Sequence, residues 1–402
     1  MEPQKESSTT KVPEEKDKSY LPKELIGAVL SKSKNVPATL QVVKGYDFNE
    51  GINYDKLFDS YASMGFQSTN LSLAIEEINK MLAWRLSDEP YNPETETEEY
   101  QDPEVRKNTK CTIFLGYTSN MISCGMREIL RFLVQHKLVD AIVTTAGGVE
   151  EDFVKCLAPS FIGDFNANDI EMRKNSLNRI GNLIVPNDNY CKFEDWIMPL
   201  YDEMYEEQVK KNKFWTPSKI IKRLGERINN EESVYYWAAK NKIPVFCPAL
   251  TDGSMGDMLF FHSYKKERFI VDIVRDIRKI NRIALKAKKT GVVILGGGIV
   301  KHHIMNANLM RNGADFAVFV NTGMDYDGSD AGAKPQEALS WGKLRQTASF
   351  VKVFAEATLV FPIIVAKSFA KYHFERIEEE KKKKSETNGE NTESKDEKKV
   401  AP

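Results

Sequence analysis

The sequence has no long apolar run, almost no excess charge and no paired cysteines, and each absence excludes a class of protein. The longest strongly apolar stretch without a charge, residues 357–366, is short and contains Pro362, whereas a membrane-spanning helix needs about 20 residues. The 57 Lys and Arg and the 58 Asp and Glu leave a net charge of -1. No overall basic field therefore exists to bind nucleic acid or an anionic membrane, and we predict neither partner.

The cysteine pattern indicates a reducing compartment. The 5 cysteines are odd in number and include no Cys-x-x-Cys pair, which fits neither a disulfide framework nor a thiolate zinc site. The N-terminus lacks the apolar core of a secretory signal and is too acidic for a typical transit peptide. These features predict a cytoplasmic protein.

Three segments are rich in polar and charged residues and poor in aliphatic ones: residues 1–20, 86–109 and 377–402. Such segments cannot offset their ordering entropy by burial. We predict a disordered N-terminal segment, an exposed insertion and a charged disordered tail, in which Glu378–Lys384 extends the preceding helix with opposed charges. Residues 21–376 are predicted to form one large domain, since no internal linker divides them.

Strand-length apolar runs alternate with segments of helical spacing. The predicted strands are Cys111–Leu115, Ala141–Thr144, Ile180–Val185, Val245–Pro248, Val292–Leu295, Phe316–Val320 and Val351–Phe354. Between them, residues 121–136 and 271–287 place apolar side chains at helical spacing. This alternation predicts an α/β fold, a Rossmann-like parallel sheet with helices on both faces and with ligands at the carboxyl ends of the strands.

Two glycine-rich turns follow predicted strands. They read AIVTTAGGVEED from Ala141 and VVILGGGIVKHH from Val292, and glycines of this kind let a backbone approach a pyrophosphate. Neither turn matches G-x-G-x-x-G, because Lys301 stands three residues after Gly298. A dinucleotide site and a plain tight turn with positive φ, in which the acidic residues complement a helix dipole, therefore both stay open.

An acidic loop begins directly after the strand Phe316–Val320, and two more acids follow another strand. The acidic residues are Asp325, Asp327, Asp330 and Glu337 in the loop, and Asp252 and Asp257 beyond Pro248. A cationic ligand is the natural counterpart at this edge of an α/β sheet. Calcium fits poorly, because an EF-hand loop has glycine in sixth position and here Gly328 is fourth. An ordinary solvated Asp/Gly turn is the alternative.

The segment Ser-Trp-Gly-Lys ends this loop and suggests chemistry on an amine. The face of Trp341 can attract ammonium groups, which points to a polyamine, and a desolvated Lys343 can form a Schiff base. A surface lysine beside a core tryptophan is the competing interpretation. His302 and His303 point about 100° apart on a helix and cannot easily share a metal, so at most one faces the site, as a general base or in a structural role.

Five motifs, in order along the chain, resemble deoxyhypusine synthases. They are CTIFLGYTSN from Cys111, TTAGGVEED from Thr144, IPVFCPALTDGSMGD from Ile243, ILGGGIVKHHIMNANLMRNGAD from Ile294 and DGSDAGAKPQEALSWGK from Asp327. The resemblance runs from Val43 to about Ala370. It implies an NAD-dependent transferase, with no metal, that moves the 4-aminobutyl group of spermidine to one lysine of the translation initiation factor 5A precursor and so forms deoxyhypusine.

The resemblance also implies roles for individual residues. Lys343 would form the covalent imine and His302 would act as the base. The implied substrate-binding residues are Glu150, Glu151, Asp257, His302, Asn306, Gly328, Ser329, Asp330, Glu337, Trp341 and Lys343. The implied NAD-binding residues are Ser119, Asn120, Met121, Ile122, Ser123, Thr145, Ala146, Gly147, Asp252, Gly297, Gly298, Thr322, Gly323, Asp327, Glu356 and Ala357. Glu356 departs from the family, which commonly has Asp there.

Family members form homotetramers, dimers of dimers with sites built from both chains, so the resemblance implies the same assembly here. An N-terminal helix covers the partner's site entrance in the family, and residues 23–31 have the apolar spacing for such a helix.

Three other functions compete with the transferase interpretation. A regulatory paralogue without activity should have lost Lys343, His302, Glu337 or Trp341, and all four are present. A protein deacylase usually carries a Cys-x-x-Cys zinc site, which is missing. An enzyme that passes the aminobutyl group to putrescine, as homospermidine synthases do, would share the same imine chemistry, and the sequence leaves it open.

Overall fold

The computed structural model describes residues 20–396 apart from residues 32, 34 and 95, and side chains as far as Ser385. The chain divides after Lys44 into two compact units. The described part of the first contains one helix, α1 (Lys23–Val29), which confirms a helix in the predicted 23–31 segment. All but the last residue of the predicted disordered segment 1–20 lie outside the described residues.

The second unit, from Gly45, is built on a sheet of six strands that are all parallel. The nine strands of the structure are β1 (Thr112–Tyr117), β2 (Ala141–Thr144), β3 (Phe161–Ile162), β4 (Leu177–Ile180), β5 (Leu183–Pro186), β6 (Val245–Phe246), β7 (Thr290–Leu295), β8 (Ala314–Asn321) and β9 (Leu344–Phe354). The main sheet has the order β6-β2-β1-β7-β8-β9, and β3, β5 and β4 form a small antiparallel sheet.

This order reverses direction between β1 and β7. The strands are added outward from β1 to β2 and β6 on one side, then from β7 to β8 and β9 on the other, which is the 3-2-1-4-5-6 arrangement of Rossmann folds. The chain segments that follow β1 and β7 therefore lead to opposite sides of the sheet. They leave a crevice at the carboxyl ends of these two strands, where such sheets bind their ligands. The predicted α/β fold is confirmed.

Helices connect the strands and cover both faces of the sheet. In this unit they are α2 (Tyr54–Asp59), α3 (Tyr61–Met64), α4 (Phe66–Ala83), α5 (Pro103–Asn108), α6 (Asn120–Ser123), α7 (Met126–Gln135), α8 (Ala146–Leu157), α9 (Asp169–Lys174), α10 (Asn187–Lys211), α11 (Pro217–Ile228), α12 (Val234–Asn241), α13 (Ser254–Ser263), α14 (Val274–Lys286), α15 (Gly298–Leu309), α16 (Pro335–Ser340), α17 (Ala357–Val365) and α18 (Lys371–Asp396). Within the described part of the chain, no helix has both the length and the apolar character needed to span a bilayer.

The central strands are buried on both faces, which explains why they read as continuous apolar runs. On β7, Val292 and Ile294 join one core cluster, while Val293 and Leu295 join the other. Successive side chains of a strand point to opposite faces, so each strand contributes to two cores at once.

Three sequence predictions of element boundaries are wrong. Ile180–Val185, predicted as one strand, spans the end of β4, the turn at residues 181–182 and most of β5, because Gly181 adopts a φ of +61° and reverses the chain. The helix predicted over 121–136 is interrupted at Cys124, which has an extended conformation. The helix predicted from residue 271 begins only at Val274.

Two segments expected to lie outside the core differ from that expectation in part. In residues 86–109, Leu86 belongs to the core and Arg106 is buried, with its guanidinium donating to the carbonyls of Leu86 and Glu89. The planar guanidinium of Arg106, with its several N–H donors, thus links backbone carbonyls from different parts of this segment. In the tail, α18 includes the predicted helical extension Glu378–Lys384 and then continues to Asp396, where disorder was predicted. Opposite charges on one face, such as Arg376 and Glu380, support this helix; residues 397–402 lie outside the described residues.

Candidate functional site

A cleft of about 530 Å³ lies at the crevice between β1 and β7. It is lined by Thr118 and Met121 after β1, Thr145 after β2, Gly296 to Ile299 after β7, Asn321 to Gly323 after β8, and Ala355 to Ala357 after β9. Five strands of one parallel sheet thus deliver their carboxyl ends to a single cavity. This is the position at which a Rossmann-like sheet holds a ligand.

The turn after β7 brings bare backbone to the cavity. Gly296 and Gly298 have φ values of +93° and +57°, which disfavour any residue with a Cβ. A Cβ on Gly297 would lie 2.4 Å from the Cα of Ala331, so the turn packs directly against the following loop. α15 starts at Gly298, and its free N–H groups suit an anion such as a pyrophosphate.

Polar side chains fix the other walls of the cleft. The side-chain oxygen Oδ1 of Asn321 accepts a hydrogen bond from the Gly323 N–H at 3.0 Å, and its side-chain nitrogen Nδ2 donates to the Gly296 carbonyl at 3.4 Å. The hydroxyls of Ser119 and Thr145 lie 2.5 Å apart and join the turns after β1 and β2. The cleft is therefore bounded by turns that are tied to one another.

Two lysines hold the loop of residues 322–334, which forms one side of the cleft. The Lys352 ammonium donates to the carbonyls of Gly332 at 2.7 Å and Gly323 at 3.2 Å, and to the Asp325 carboxylate at 3.0 Å. The buried Lys301 ammonium donates to the Asp330 carbonyl. Desolvation lowers the pKa of Lys301, although the nearby Asp330 opposes that shift.

A second group of acidic side chains lies on α8 and α13. Glu150 is buried and accepts the Met255 N–H at 2.7 Å, so one of its oxygens caps α13. Glu151 is 4% exposed; one oxygen accepts the Tyr190 hydroxyl at 2.8 Å, and the other has no hydrogen-bond partner among the described residues. Burial raises the pKa of both carboxyls, and for Glu150 the negative charges of Glu151 and Asp257 add to the shift.

An uncompensated buried carboxylate oxygen is costly unless a cation meets it. The same holds for Asp330, whose side chain also has a buried oxygen without a hydrogen-bond partner in the part of the chain that the structure describes. Both residues therefore have an acceptor available for an ammonium group.

α15 connects the cleft with the predicted lysine. Its 12 residues span about 18 Å at 1.5 Å per residue, starting at the glycine turn. His302 and Asn306 face outward one turn apart, with ring Nδ1 and amide nitrogen 3.2 Å from each other. At the far end, a Cβ on Gly342 would touch the Leu309 side chain at 3.4 Å. Lys343 follows Gly342, and its ammonium lies 5.6 Å from the centre of the exposed Trp341 ring.

About half of the predicted cofactor residues line the cleft. They are Met121, Thr145, Gly297, Gly298, Thr322, Gly323, Glu356 and Ala357. Five others lie beside the cleft without lining it: Ser119 precedes α6, Asn120 and Ser123 are in α6, and Ala146 and Gly147 are in the first turn of α8. Ile122 is fully buried in the core because it occupies the inward face of α6. Asp252 and Asp327 are exposed and lie away from the lining.

The predicted substrate residues fall into separate groups in one chain. Glu150, Glu151 and Asp257 lie on α8 and α13, whereas His302, Asn306, Trp341 and Lys343 lie along α15 and after α16. Gly328, Ser329 and Asp330 are in the acidic loop, and Glu337 is exposed on α16. Among the described residues, no hydrogen bond or ion pair joins the first group to His302 or Lys343.

Sequence reasoning missed several residues that shape the site. Thr118 stands directly after β1 and Asn321 is the last residue of β8, so their position at strand ends was the available signal. Tyr190, Lys301 and Lys352 gave none, because their contacts depend on chain segments that are distant in sequence.

Comparisons with known proteins agree with the site. A family model described as deoxyhypusine synthase matches residues 56–368. A Drosophila melanogaster protein assigned as a deoxyhypusine synthase is 59% identical over 346 residues, which cover 86% of this chain and 94% of that protein. The chain belongs to the deoxyhypusine synthase family. The predicted resemblance is therefore confirmed.

Other relatives extend the match. The deoxyhypusine synthase of Arabidopsis thaliana is 57% identical over 344 residues, or 85% of this chain and 94% of that protein. A crystal structure of an Entamoeba histolytica protein assigned to the same activity has a TM-score of 0.62 and 40% identity, covering 82% of this chain and 97% of that one. Deoxyhypusine synthases are transferases that modify translation initiation factor 5A, and the chain is accordingly an enzyme of this class.

Proposed function

We propose that this chain transfers the 4-aminobutyl group of spermidine to a lysine of the translation initiation factor 5A precursor, with NAD as the bound hydride carrier. The observation that carries the proposal is the arrangement along α15. A glycine turn that suits a dinucleotide lies at its start, His302 and Asn306 lie on its exposed face, and Lys343 with Trp341 lies at its end.

The residues of the cleft fit NAD. The turn at Gly297 leaves no room for a Cβ and exposes backbone N–H groups to a pyrophosphate. Glu356, at the rim, offers a carboxylate to a ribose hydroxyl. Met121 and Ala357 supply apolar wall for a flat ring.

Spermidine, a linear polyamine, suits the groups outside the cleft. The unpartnered oxygens of Glu151 and Asp330 accept ammonium hydrogens. The Trp341 ring, 64% exposed, offers a face to a cation or to the methylene chain.

The chemistry needs a base and an amine nucleophile from the chain. In the proposal, His302 takes a proton from the secondary amine of spermidine. The NAD that the cleft residues would hold would supply an acceptor, and later a donor, for the hydride of the adjacent carbon. The Lys343 amine adds to the resulting C=N carbon, and the C–N bond to 1,3-diaminopropane breaks, so that this amine leaves with its proton restored. A lysine amine of the precursor then displaces Lys343 by the same exchange.

His302 must present an unprotonated ring nitrogen for this role. The Asn306 amide nitrogen lies 3.2 Å from Nδ1. With the amide turned by 180°, its oxygen accepts from Nδ1–H, and Nε2 is then free to accept the proton. Asn306 is thus a positioning residue in the proposal.

The complete site is proposed to require two copies of the chain. Within one chain, Glu150 and Glu151 lie on α8, and no hydrogen bond or ion pair among the described residues joins them to His302 or Lys343. In the proposal, a neighbouring copy supplies the missing half of each site. A homotetramer that acts in the cytoplasm follows from the family resemblance.

A transfer assay tests the proposal directly. The purified chain is incubated with NAD, butyl-labelled spermidine and the purified precursor, and the protein is hydrolysed to amino acids. Deoxyhypusine that forms only with NAD supports the proposal. Labelled homospermidine formed from putrescine, with no label in the precursor, would favour the alternative acceptor. The absence of both products would favour a regulatory paralogue.

The change Lys352→Met should weaken NAD binding about tenfold, because three hydrogen bonds that hold the cleft-lining loop are lost at about 0.5 to 1.5 kcal/mol each. Titration calorimetry measures the NAD affinity of this variant and of the parent chain. The exposed Lys334→Met, which removes a single long contact to Asp325 at 3.7 Å, is the control and should leave the affinity within about twofold.

The change Glu356→Gln should also weaken NAD binding, by about tenfold, because a charge-assisted hydrogen bond to a ribose contributes about 1.5 to 3 kcal/mol. Glu356→Asp should bind at least as well as the parent chain, since Asp is the common family residue. An unchanged NAD affinity in Glu356→Gln would remove Glu356 from the cofactor site.

Spermidine affinity should fall as the pH decreases, and the fall should begin at a pH above the usual pKa range of carboxyl groups. Burial raises the pKa of Glu151, so it protonates at a higher pH than an ordinary glutamate, and the neutral acid attracts an ammonium group less. Calorimetry with spermidine and NAD from about pH 9 to about pH 5 measures the decrease. Glu151→Gln should bind weakly at every pH, and its affinity should change less with pH, since only Glu150 of this pair still titrates in the raised range. A pH dependence as large as that of the parent chain would contradict the assignment.

A further inference from the structure

α14 carries a row of cations on one side. They are Arg275, Arg278, Lys279, Arg282 and Lys286, and all are exposed. At 100° per residue they fall within one sector of about 100°. Since the chain as a whole has a net charge of -1, this row is a local concentration of positive charge.

The row is poorly neutralised within the chain. Arg275 pairs with Asp272 at 3.0 Å, but Arg278, Arg282 and Lys286 have no ion-pair partner among the residues that the structure describes. Arg282 stands four residues from both Arg278 and Lys286, a spacing at which like charges destabilise a helix. An anion bound from outside would relieve this repulsion.

Three clefts adjoin this row. A cleft of about 430 Å³ has Lys222, Lys242 and Lys279 in its lining, together with Asp140. Lys279 also lines a second cleft of about 390 Å³ along α14 itself. Lys286 joins that cleft to a third, of about 560 Å³, in which Glu89 and Glu96 lie beside the cations and Arg311 and Arg345 pair with Asp315. The excess positive charge therefore lies on α14 and the first two clefts. We call these three clefts together the basic belt.

The pKa of Lys279 is affected by the positive charges around it. Its ammonium donates to Ser218 Oγ at 3.2 Å. Desolvation lowers its pKa; Asp276 opposes the shift, and the positive charges of Lys222 and Lys219 add to it.

The basic belt is at the other end of the sheet from the cofactor cleft. Its lining includes Asp140 and Pro244, which precede β2 and β6, and Arg311, which precedes β8. The six residues of β7 alone separate the two ends by about 20 Å. The belt is therefore distinct from the site described above.

The first cleft also offers an apolar floor. Ile221, Ile243, Val245 and Ile283 contribute aliphatic surface beside the three lysines. Among the described residues that line the three clefts, the one aromatic side chain is Tyr235, which is 1% exposed. Single-stranded nucleic acid binds through exposed aromatic rings, so the surface suits a peptide better than RNA.

We propose that the basic belt docks an acidic segment of a partner protein, with one aliphatic or aromatic side chain of that segment in the first cleft. Carboxylates along the segment pair with the unneutralised row on α14, and the apolar side chain packs on the aliphatic floor. This interaction is additional to the transfer reaction and does not depend on it.

Fluorescence anisotropy tests the proposal with the full-length chain. The probe is a short fluorescein-labelled peptide of alternating Glu and Asp around one Phe. The change Arg282→Glu should weaken binding about tenfold or more, since it removes one charge and reverses it. It also creates favourable pairs with Arg278 and Lys286, so the fold is preserved, which the melting temperature checks. Lys210→Glu, at an exposed lysine on α10, is the matched control and should stay within about twofold.

Two further probes define the partner class. Replacing Phe by Ser in the peptide should weaken binding at least about fivefold if the apolar cleft is used. Equal loss of binding in Arg282→Glu and Lys210→Glu, no effect of the Phe replacement, or tighter binding of an oligouridine RNA than of the peptide would each overturn the proposal.

Discussion

The change Lys343→Arg should abolish transfer, with a fall in kcat of at least about a thousandfold. Arginine keeps the positive charge near the Trp341 ring, where the Lys343 ammonium lies at 5.6 Å. Its guanidinium, however, does not deprotonate in proteins and cannot form an imine with the butylamine fragment. The loss would therefore isolate the nucleophile from electrostatic binding. The measurement is the rate of labelled aminobutyl transfer at saturating spermidine.

Lys334→Arg is the matched control for this variant. Lys334 is exposed and lies near the same acidic loop, in a contact with Asp325 at 3.7 Å. It should retain transfer within about twofold, because the pair at this surface contributes little. Retention of more than about a tenth of the activity in Lys343→Arg would assign the covalent step to another amine.

The change His302→Gln should lower kcat by about 100-fold to 10,000-fold with a small effect on the KM for spermidine. Glutamine can keep a hydrogen bond to Asn306, which now lies 3.2 Å from the ring, but it cannot take a proton from the amine. A loss confined to kcat separates a base from a binding residue.

The adjacent His303→Gln supplies the control. His303 is half-buried, and burial lowers its pKa, with Asp276 opposing the shift. It lies near Asp276 of α14 and about 100° around α15 from His302. We expect His303→Gln to keep kcat within a few-fold, and a larger loss there than in His302→Gln would exchange the two roles.

The main sheet could be predicted because its strands are buried on both sides. Val292–Leu295 and Phe316–Val320 read as unbroken apolar runs, and the structure extends each by only a few residues. The run Ile180–Val185 differs because Gly181 and Asn182 interrupt its apolar residues, and the positive φ of Gly181 makes a hairpin. Gly-Asn between two apolar runs is a hairpin signal, so the sequence did carry the information that this prediction missed.

The candidate site was predictable where it depends on strand ends and not where it depends on tertiary contacts. Gly297, Thr322 and Glu356 follow strands directly, and the parallel topology gathers them into one cleft. The loop that closes the cleft is held by Lys301 and Lys352, whose ammonium groups reach carbonyls about 20 to 30 residues away. Sequence spacing carries no signal for such contacts.

Borohydride trapping tests the central claim most directly. The chain is incubated with labelled spermidine, with and without NAD, then reduced, digested and mapped by mass spectrometry, with Lys343→Arg in parallel. The account predicts a stable butylamine adduct on the Lys343 peptide that requires NAD and is missing in the variant. An adduct on another lysine, or none in a chain that binds both NAD and spermidine, would contradict it.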